Sequence, residues 1–474
     1  MKPVQIYEYE KVNCTEVGIN RQALLRLEQL DKRYIAKGKR SRLFEIGWGW
    51  NENNETLKVK NYVGVIQVPG LTLEILPKID KDKEIPETGT KDKVKEEKEN
   101  KKQLAQSNLL YMLSFTKKIP FEERELATLK HQNMTLMEAL IRLFVNRLME
   151  ELRRGVDHSY VYREENLPCI KGKILMSQHI RMNAAHRERF YVGFDEFLDD
   201  TPLNCILKAT SRRLISVSNN TETQRLLMEA TAIFDEVSDI IPDTHHFDRV
   251  HLHRNNERFQ TLLDFCRMVW QEMSPNPAAG DHSRTFSLLF PMEKLFEEFI
   301  ARYIYRYADD LGLERKDIYV QSVGHSRHLA AVGKDGKDKR FQLKPDLIIN
   351  YEWPDEPLLI LDTKWKCLKS DEEDRKNGVS QADMYQMYAY AKRYAKCKEV
   401  VLLYPETADV TEKTYCLIED ETNCTGIVKE QKKCIRVKTI SLKGDLLKEE
   451  DRKALIEQLK KKVLDHSEDK NNSS

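Results

Sequence analysis

Two aspartates and a lysine are the residues whose types and spacing could do chemistry. Pro345-Asp346 opens the apolar run Leu347 to Ile349, and sixteen positions after Asp346 the run Leu358 to Leu361 ends in Asp362, Thr363 and Lys364. Side chains alternate along a strand, so Asp362 and Lys364 should share one face while Thr363 points away. Two carboxylates and an ammonium at neighbouring strand ends suit phosphodiester cleavage with a hard divalent ion. Asp346 and Asp362 would hold Mg2+, which polarises the phosphate and activates water, while Lys364 steadies the attacking hydroxide or the pentavalent charge.

The triplet (D/E)xK is not distinctive by itself. Glu96-Glu97-Lys98, Asp335-Gly336-Lys337 and Glu430-Gln431-Lys432 also satisfy it, and each reads most simply as solvated loop or helix surface. Asp362-Thr363-Lys364 differs because the preceding leucine-rich run should bury its strand, and charge at the end of a buried strand is costly unless used or paired. The competing reading is an ion pair at the strand's surface end. Ser380 can cap a following helix with Asp383 as its box partner, which puts Gln386 and Tyr390 four apart on one face as supporting residues. Upstream, LLFPMEKLFEEFIARYI carries Glu293, Glu297 and Glu298. Glu297 is the choice for an additional carboxylate on the metal side, against the alternative of an exposed helical glutamate.

The elements that must position these residues follow from the rest of the chain. Its 474 residues exceed what one core usually organises, so two or three domains are expected. Hydrophobic residues make up 40% and charged residues 33%, with a formal charge of +1, so any DNA contact must come from local patches and not from the whole molecule. No apolar run approaches the ~18 residues of a membrane helix, and the start MKPVQIYEYEKVNC lacks a signal peptide's apolar core, so a cytoplasmic protein is expected. Nine cysteines without a CxxC pair read as reduced thiols, not as a disulfide frame or a zinc site.

The predicted fold class is α+β and multidomain. Residues 1–79 should form a small mixed domain, with a helix near Arg21 to Tyr34 and strands at Leu43–Ile46, Leu57–Val68 and Leu71–Leu76, the last two joined by a Pro69-Gly70 turn. Residues 80–102 are almost devoid of apolar side chains and read as a charged linker or extended loop. Residues 103–280 are expected to be largely helical. In LMEALIRLFVNRLMEELRRG the apolar positions step by three and four up to a stop at Gly155, and a β-like interlude follows. Residues 281–464 alternate as a helix at 288–308, strands at 318–323, 341–349 and 358–364, a helix at 381–394 and a strand at 400–404, the pattern of an α/β sheet domain. Residues 465–474 read as a disordered tail.

In combination these segments resemble a known family. PD followed by DxK resembles the PD-(D/E)xK nuclease superfamily, and QMYAY is similar to the Q-x3-Y element of its RecB-like members. LLFPMEKLFEEFI, KPDLII, LDTKWK, DMYQMYAYA, KGKILMSQHIRMN and DTPLNCILKA, running in order between about Lys171 and Tyr404, resemble the McrC family of modification-dependent restriction systems. The resemblance implies a Mg2+-dependent nuclease subunit of a hetero-oligomer that cuts double-stranded DNA. Its partner would be an AAA+ motor of McrB type, which hydrolyses GTP and usually reads methylated cytosine. It carries the metal-site roles onto Asp346, Asp362 and Lys364, and onto Glu297. The chain departs from the family in the 80–102 segment, which looks like an insertion, and in a long region past Cys416. Some relatives cut unmodified sites, so the methyl preference stays open.

No GxxxxGK(S/T) loop is present, so this chain does not hydrolyse NTP through a P-loop and an energy-driven step needs another subunit. Lys37, Lys39, Arg40 and Arg42 cluster around Gly38. They read as a solvated loop, or as a contact with DNA phosphate or a partner's nucleotide pocket, for which Arg40 and Arg42 are the candidates. His245, His246, His251 and His253 near Asp248 read as hydrogen-bonding histidines more simply than as a metal site. Two rival functions remain: a non-catalytic assembly factor that keeps the fold as scaffold for a motor, and a stand-alone repair or recombination nuclease.

Overall fold

The computed structural model describes residues 3–36, 42–49, 54–79, 91–116, 119, 125–126, 134–272, 286–321, 326–332, 338–349, 359–366, 379–394, 397, 399–406, 412–417 and 433–464. The chain forms two compact units, one of residues 1–116, 126–132 and 289–474, the other of 117–125 and 133–288.

The first unit starts with β1 (Val4–Tyr7), β2 (Lys11–Asn13), α1 (Arg21–Ala36), β3 (Phe44–Gly47), β4 (Thr56–Val59), β5 (Tyr62–Val68) and β6 (Leu71–Leu76). Ala23, Leu24, Leu27 and Tyr34 recur at helical spacing along α1 and are all buried against strand residues such as Leu57, Val59 and Ile66. The expected strand 57–68 is broken between Val59 and Tyr62, so that β4 joins the sheet β2-β4-β3 and β5 joins a second sheet. Gly70, at φ +83°, takes the left-handed turn that reverses β5 into β6.

That second sheet corrects the expected division of the chain. Its order is β1-β6-β5-β10, where β10 spans Phe286–Pro291, so the predicted domain 1–79 is not a separate body. Leu289 belongs to the same buried cluster as Ile6, Ile66 and Leu73, and Met292 N donates to Asn61 O at 3.1 Å. The run LLFP, expected as the first turn of a helix, is strand because it supplies a buried edge to β5. The helix α8 begins only at Met292 and ends at Arg306.

The predicted linker also differs. Residues 80–90 lie outside the described residues, but from Lys91 the chain is helical, forming α2 (Lys91–Ser114). Glu97 and Lys101 sit four apart, and such pairing allows a solvated helix where no core is available. The second half of α2, expected in the middle region, belongs instead to the first unit. Tyr111 and Phe115 pack on Phe299 of α8 at ring separations of 6.2 and 5.3 Å, and Asn108 Nδ2 donates to Leu442 O and Gly444 O at 3.0 and 2.7 Å. Each aromatic pair adds about 1 kcal/mol to the burial of its rings.

The second unit holds α3 (Leu136–Leu152), β7 (Ser159–Leu167), β8 (Lys173–Ile174), α4 (Met176–Asn183), β9 (Phe190–Leu198), α5 (Pro202–Val217), α6 (Thr221–Ile233) and α7 (Gln260–Glu272). Thr135 caps α3 and Thr201 caps α5 by accepting from Glu138 N and Asn204 N, both at 3.2 Å. Phe144 stacks on Phe265 at 5.0 Å in the helical core, and the expected β interlude is the sheet β7-β9-β8.

The remainder of the first unit comprises β11 (Ile318–Val320), the hairpin β12 (Arg327–Val332) and β13 (Asp338–Leu343), β14 (Leu347–Ile349), β15 (Leu359–Thr363), α9 (Gln381–Arg393), β16 (Glu399–Pro405), β17 (Lys413–Cys416), β18 (Cys434–Ile440) and α10 (Glu449–Leu459). The single strand expected over 341–349 is divided between β13 and β14. The six-stranded sheet has the order β11-β14-β15-β16-β18-β17, antiparallel from β11 to β15 and parallel through β15, β16 and β18. Residues 465–474 lie outside the described residues, and among those described no helix is long and apolar enough to cross a membrane.

At the far edge Cys416 and Cys434 are directly opposed, with Sγ atoms 3.3 Å apart. The neighbouring pair is hydrogen-bonded, Leu417 N to Lys433 O at 2.9 Å, so the cysteines occupy the closer, non-hydrogen-bonded register position. Mild oxidation with diamide should therefore join these two thiols selectively. Peptide mass spectrometry checks it, and failure to crosslink, or a different pairing, would show the edge register to be wrong.

Candidate active site

β15 lies inside the sheet, and all five of its residues, Leu359 to Thr363, are buried. Leu347 pairs with Leu361 across the antiparallel ladder, so Asp346 and Asp362 fall opposite one another where β14 begins and β15 ends. The strand neighbours Ile360, Val400, Leu402 and Tyr404 pack with Met387, Tyr390 and Ala391 of α9. This fixes the helix over the acid-bearing end of the strand.

Asp362 has no solvent exposure. Its Oδ2 pairs with Lys364 Nζ at 2.6 Å and has no other donor. Its Oδ1 accepts from Gln386 Nε2 at 3.3 Å and Tyr390 OH at 3.4 Å, and Gln386 Nε2 also donates to Tyr390 OH at 2.8 Å. The structure thus brings the predicted pair Gln386 and Tyr390 onto the predicted aspartate. Asp346 is held from the other side, its Oδ2 accepting from Thr363 N at 2.7 Å and Thr363 Oγ1 at 2.9 Å. Thr363 takes part in the site because Asp346 precedes its strand and reaches the threonine hydroxyl.

Burial, then the negative charges of Asp362 and Glu297, push the Asp346 carboxyl up to about 8. Asp362 is also raised, by burial and in spite of Lys364. Burial opposes the Lys364 ammonium, but Asp362 and Asp346 outweigh it and hold that pKa above the ordinary lysine value. Two desolvated acids that resist ionising beside each other form a site whose deficit a cation would remove. Asp346 and Asp362, hard oxygen ligands with Oδ2 of Asp362 held by Lys364 alone, fit Mg2+, which commonly takes one or two carboxylates and completes its shell with water and phosphate. Glu297 stands near enough for its charge to act on both aspartates. It is half-buried on α8 and accepts from Gln321 Nε2, and among the described residues no three acidic, histidine or cysteine side chains converge as a metal-binding group.

Several participants were not singled out as such from the sequence. Gln321 sits at φ +42°, a strained conformation for a residue with a side chain, and is held by Glu297 and by its own N–H to Asp346 O at 3.0 Å. Lys366 binds Asp383 at 2.9 Å, and Tyr404 OH donates to the same carboxylate at 3.2 Å. Asp383 was expected to close a capping box. Its N–H does donate to Ser380 Oγ at 3.1 Å, but its side chain turns to the lysine and tyrosine. Of the basic candidates, Arg42 is exposed ahead of β3 and Arg40 lies outside the described residues. Among the histidines, His246 pairs with Asp243, Nδ1 to Oδ1 at 2.6 Å, within a capped turn.

Fold and site define a mixed α+β protein with a buried centre of two acids and one lysine at the ends of adjoining strands. The chain belongs to the family described as McrBC 5-methylcytosine restriction system component, whose model matches residues 57–405. Among solved structures it is similar over its full fold to a chain in a half-complex from the tetradecameric assembly of Thermococcus gammatolerans McrB AAA+ hexamers with bound McrC. The identity is 22% and the TM-score 0.67, covering 97% of this chain and 100% of that one. A chain in the cryo-EM structure of the Thermococcus gammatolerans McrBC complex matches at 25% identity and a TM-score of 0.52, over 65% of this chain and 88% of that one. No curated protein matches the chain.

Proposed function

We propose that the chain is the endonuclease subunit of a McrBC-type restriction complex, cutting double-stranded DNA in a Mg2+-dependent reaction driven by an AAA+ NTPase partner of McrB type, with methylcytosine-containing DNA as its target. The observation that carries this reading is the buried Asp346-Asp362-Lys364 centre with Gln386 and Tyr390 closed over one aspartate. The family match and the likeness to a chain from a McrB–McrC assembly support the setting.

Asp346 and Asp362 would hold the ion, whose chemistry is to polarise the scissile phosphate and lower the pKa of a water. Thr363 fixes Asp346 through two hydrogen bonds, and Gln386 and Tyr390 fix Asp362 Oδ1, so neither carboxylate must reorganise when DNA arrives. Lys364 keeps a 20% exposed side chain beside Asp362, where its ammonium can steady the hydroxide or the charge growing on the phosphate oxygens. Energy enters from the partner, since this chain has no P-loop.

The test is plasmid cleavage by the full chain with partner, NTP and methylated DNA. Chelation should abolish cutting, and Mg2+ or Mn2+ should restore it while Ca2+ does not. Methylated and unmodified plasmids compared side by side decide the target. Cutting that survives chelation would remove the metal role of the acid pair.

A further inference from the structure

A further buried carboxyl, from a distant part of the chain, meets the residue that follows Lys364. Glu8 follows β1 and is fully buried, with its N–H donating to Leu76 O at 3.0 Å. Its Oε1 accepts from Trp365 Nε1 at 2.6 Å and from Lys78 N at 3.1 Å, while Oε2 is buried without a hydrogen-bond partner. Leaving a buried carboxyl in apolar surroundings costs stability that an apolar residue would not lose. Burial pushes Glu8 up to about 8, so around neutral pH it is mainly a neutral acid and accepts the indole N–H without a net charge.

What that bond fixes is the exit from β15. The strand ends at Thr363, so Lys364 is outside the ladder. Its N–H is tied to Leu403 O at 2.9 Å, and the next residue, Trp365, is buried with its indole edge on Glu8 and its ring against Phe296 at 5.2 Å, 60° between planes. Phe296 precedes Glu297 on α8. A buried aromatic ring held at its polar edge by a hydrogen bond and packed against a second ring is restricted in its rotamers. The backbone between Leu403 and Trp365 is consequently set on both sides of Lys364.

We propose that Glu8 is a positioning residue for the acid-lysine centre, acting through the Trp365 indole to fix the chain on the far side of Lys364 and, through Phe296, the helical turn that carries Glu297. The proposal rests on the endonuclease reading for its activity readout, and a second readout is independent of it.

The experiment compares Glu8→Gln, Glu8→Leu and Trp365→Phe in the full chain with its partner, with Asp362→Ala as control. Each is measured for cleavage kcat and KM, for thermal unfolding, and for acetylation of Lys364 by a small amine-reactive ester followed by mass spectrometry. Glu8→Gln keeps the acceptor and shape and should stay within about twofold of wild type, whereas Glu8→Leu and Trp365→Phe should lose roughly 10-fold or more in kcat at unchanged KM. In both, Lys364 should acetylate several-fold faster as its pairing with Asp362 loosens. A purely structural role would lower the unfolding temperature and leave kcat and Lys364 labelling of the folded protein at wild-type values, which overturns the proposal. Should Glu8→Leu fail to fold, Trp365→Phe decides, because it removes the indole donor while keeping an aromatic ring beside Phe296. If Asp362→Ala cuts DNA normally, the endonuclease reading is what fails, and the labelling rates still decide the role of Glu8.

Discussion

Asp362→Ala should reduce DNA cleavage by the complex roughly 10³-fold or more while the chain still folds and still binds its partner. The magnitude follows from what the carboxylate touches. Removing a group that only orients a metal ligand typically costs about 10- to 100-fold, so Gln386→Ala and Tyr390→Phe belong in that range, and loss of the ligand they orient must exceed it. Folding should survive because Asp362 is a desolvated acid raised by burial, so its replacement relieves a strain in the ion-free protein. Lys364 loses its 2.6 Å partner, but its half-open position lets water replace the contact. Asp362→Asn is the sharper variant, since it keeps the shape and the acceptor for Gln386 while removing the charge. Rates of plasmid linearisation with partner, NTP and Mg2+ provide the measurement, beside a pull-down of the partner. Wild-type cutting by either variant would show that this pair is not where the chemistry occurs.

The legible part of this protein was local. Asp346, Asp362 and Lys364 could be found because a strand ending in charge after four apolar residues is a conflict that folding alone would not keep. Gln386 and Tyr390 could be found because a capped helix puts positions four apart on one face. The rest depended on long-range pairing, which periodicity does not encode. That LLFP is strand and not helix depends on β5 offering an edge, and that residues 1–79 share a unit with residues 289–474 depends on β10 completing their sheet. The same limit hid Glu8, a glutamate in an otherwise ordinary YEYE run whose partner lies 357 residues away. Gln321 has no sequence signature either: its positive φ and its contacts with Glu297 and Asp346 belong to the folded chain. One residue could have been recognised from type alone. Trp365 directly after the site lysine is large, carries a donor that must be satisfied when buried, and so announces an acceptor somewhere in the fold.

The acid pair also makes a prediction about stability that runs opposite to the usual acid denaturation. Asp346 has a folded-state pKa of about 8 against 3.8 as an unperturbed side chain, with burial first and then Asp362 and Glu297 as the causes. Between those values the folded protein binds more protons than the unfolded chain, so stability falls as pH rises through that window and is lowest above it. The loss is on the order of a few kcal/mol, which corresponds to several degrees of unfolding temperature in a unit of this size. Asp346→Asn removes this titration yet keeps an oxygen to accept from Thr363 N and Oγ1. It should therefore unfold at a higher temperature than wild type at pH 9, keep a smaller advantage near pH 5, and show a shallower slope between. Mg2+ acts in the reverse direction on wild type, because it binds the ionised acids: it should raise the wild-type unfolding temperature most at alkaline pH and leave Asp346→Asn nearly unmoved. Calorimetry from pH 5 to 9, with and without 10-fold changes in Mg2+, measures both slopes. Parallel pH profiles for the two proteins would mean that Asp346 ionises as freely as a surface acid, and the site would then lack the stored charge deficit that makes it a place for a divalent ion.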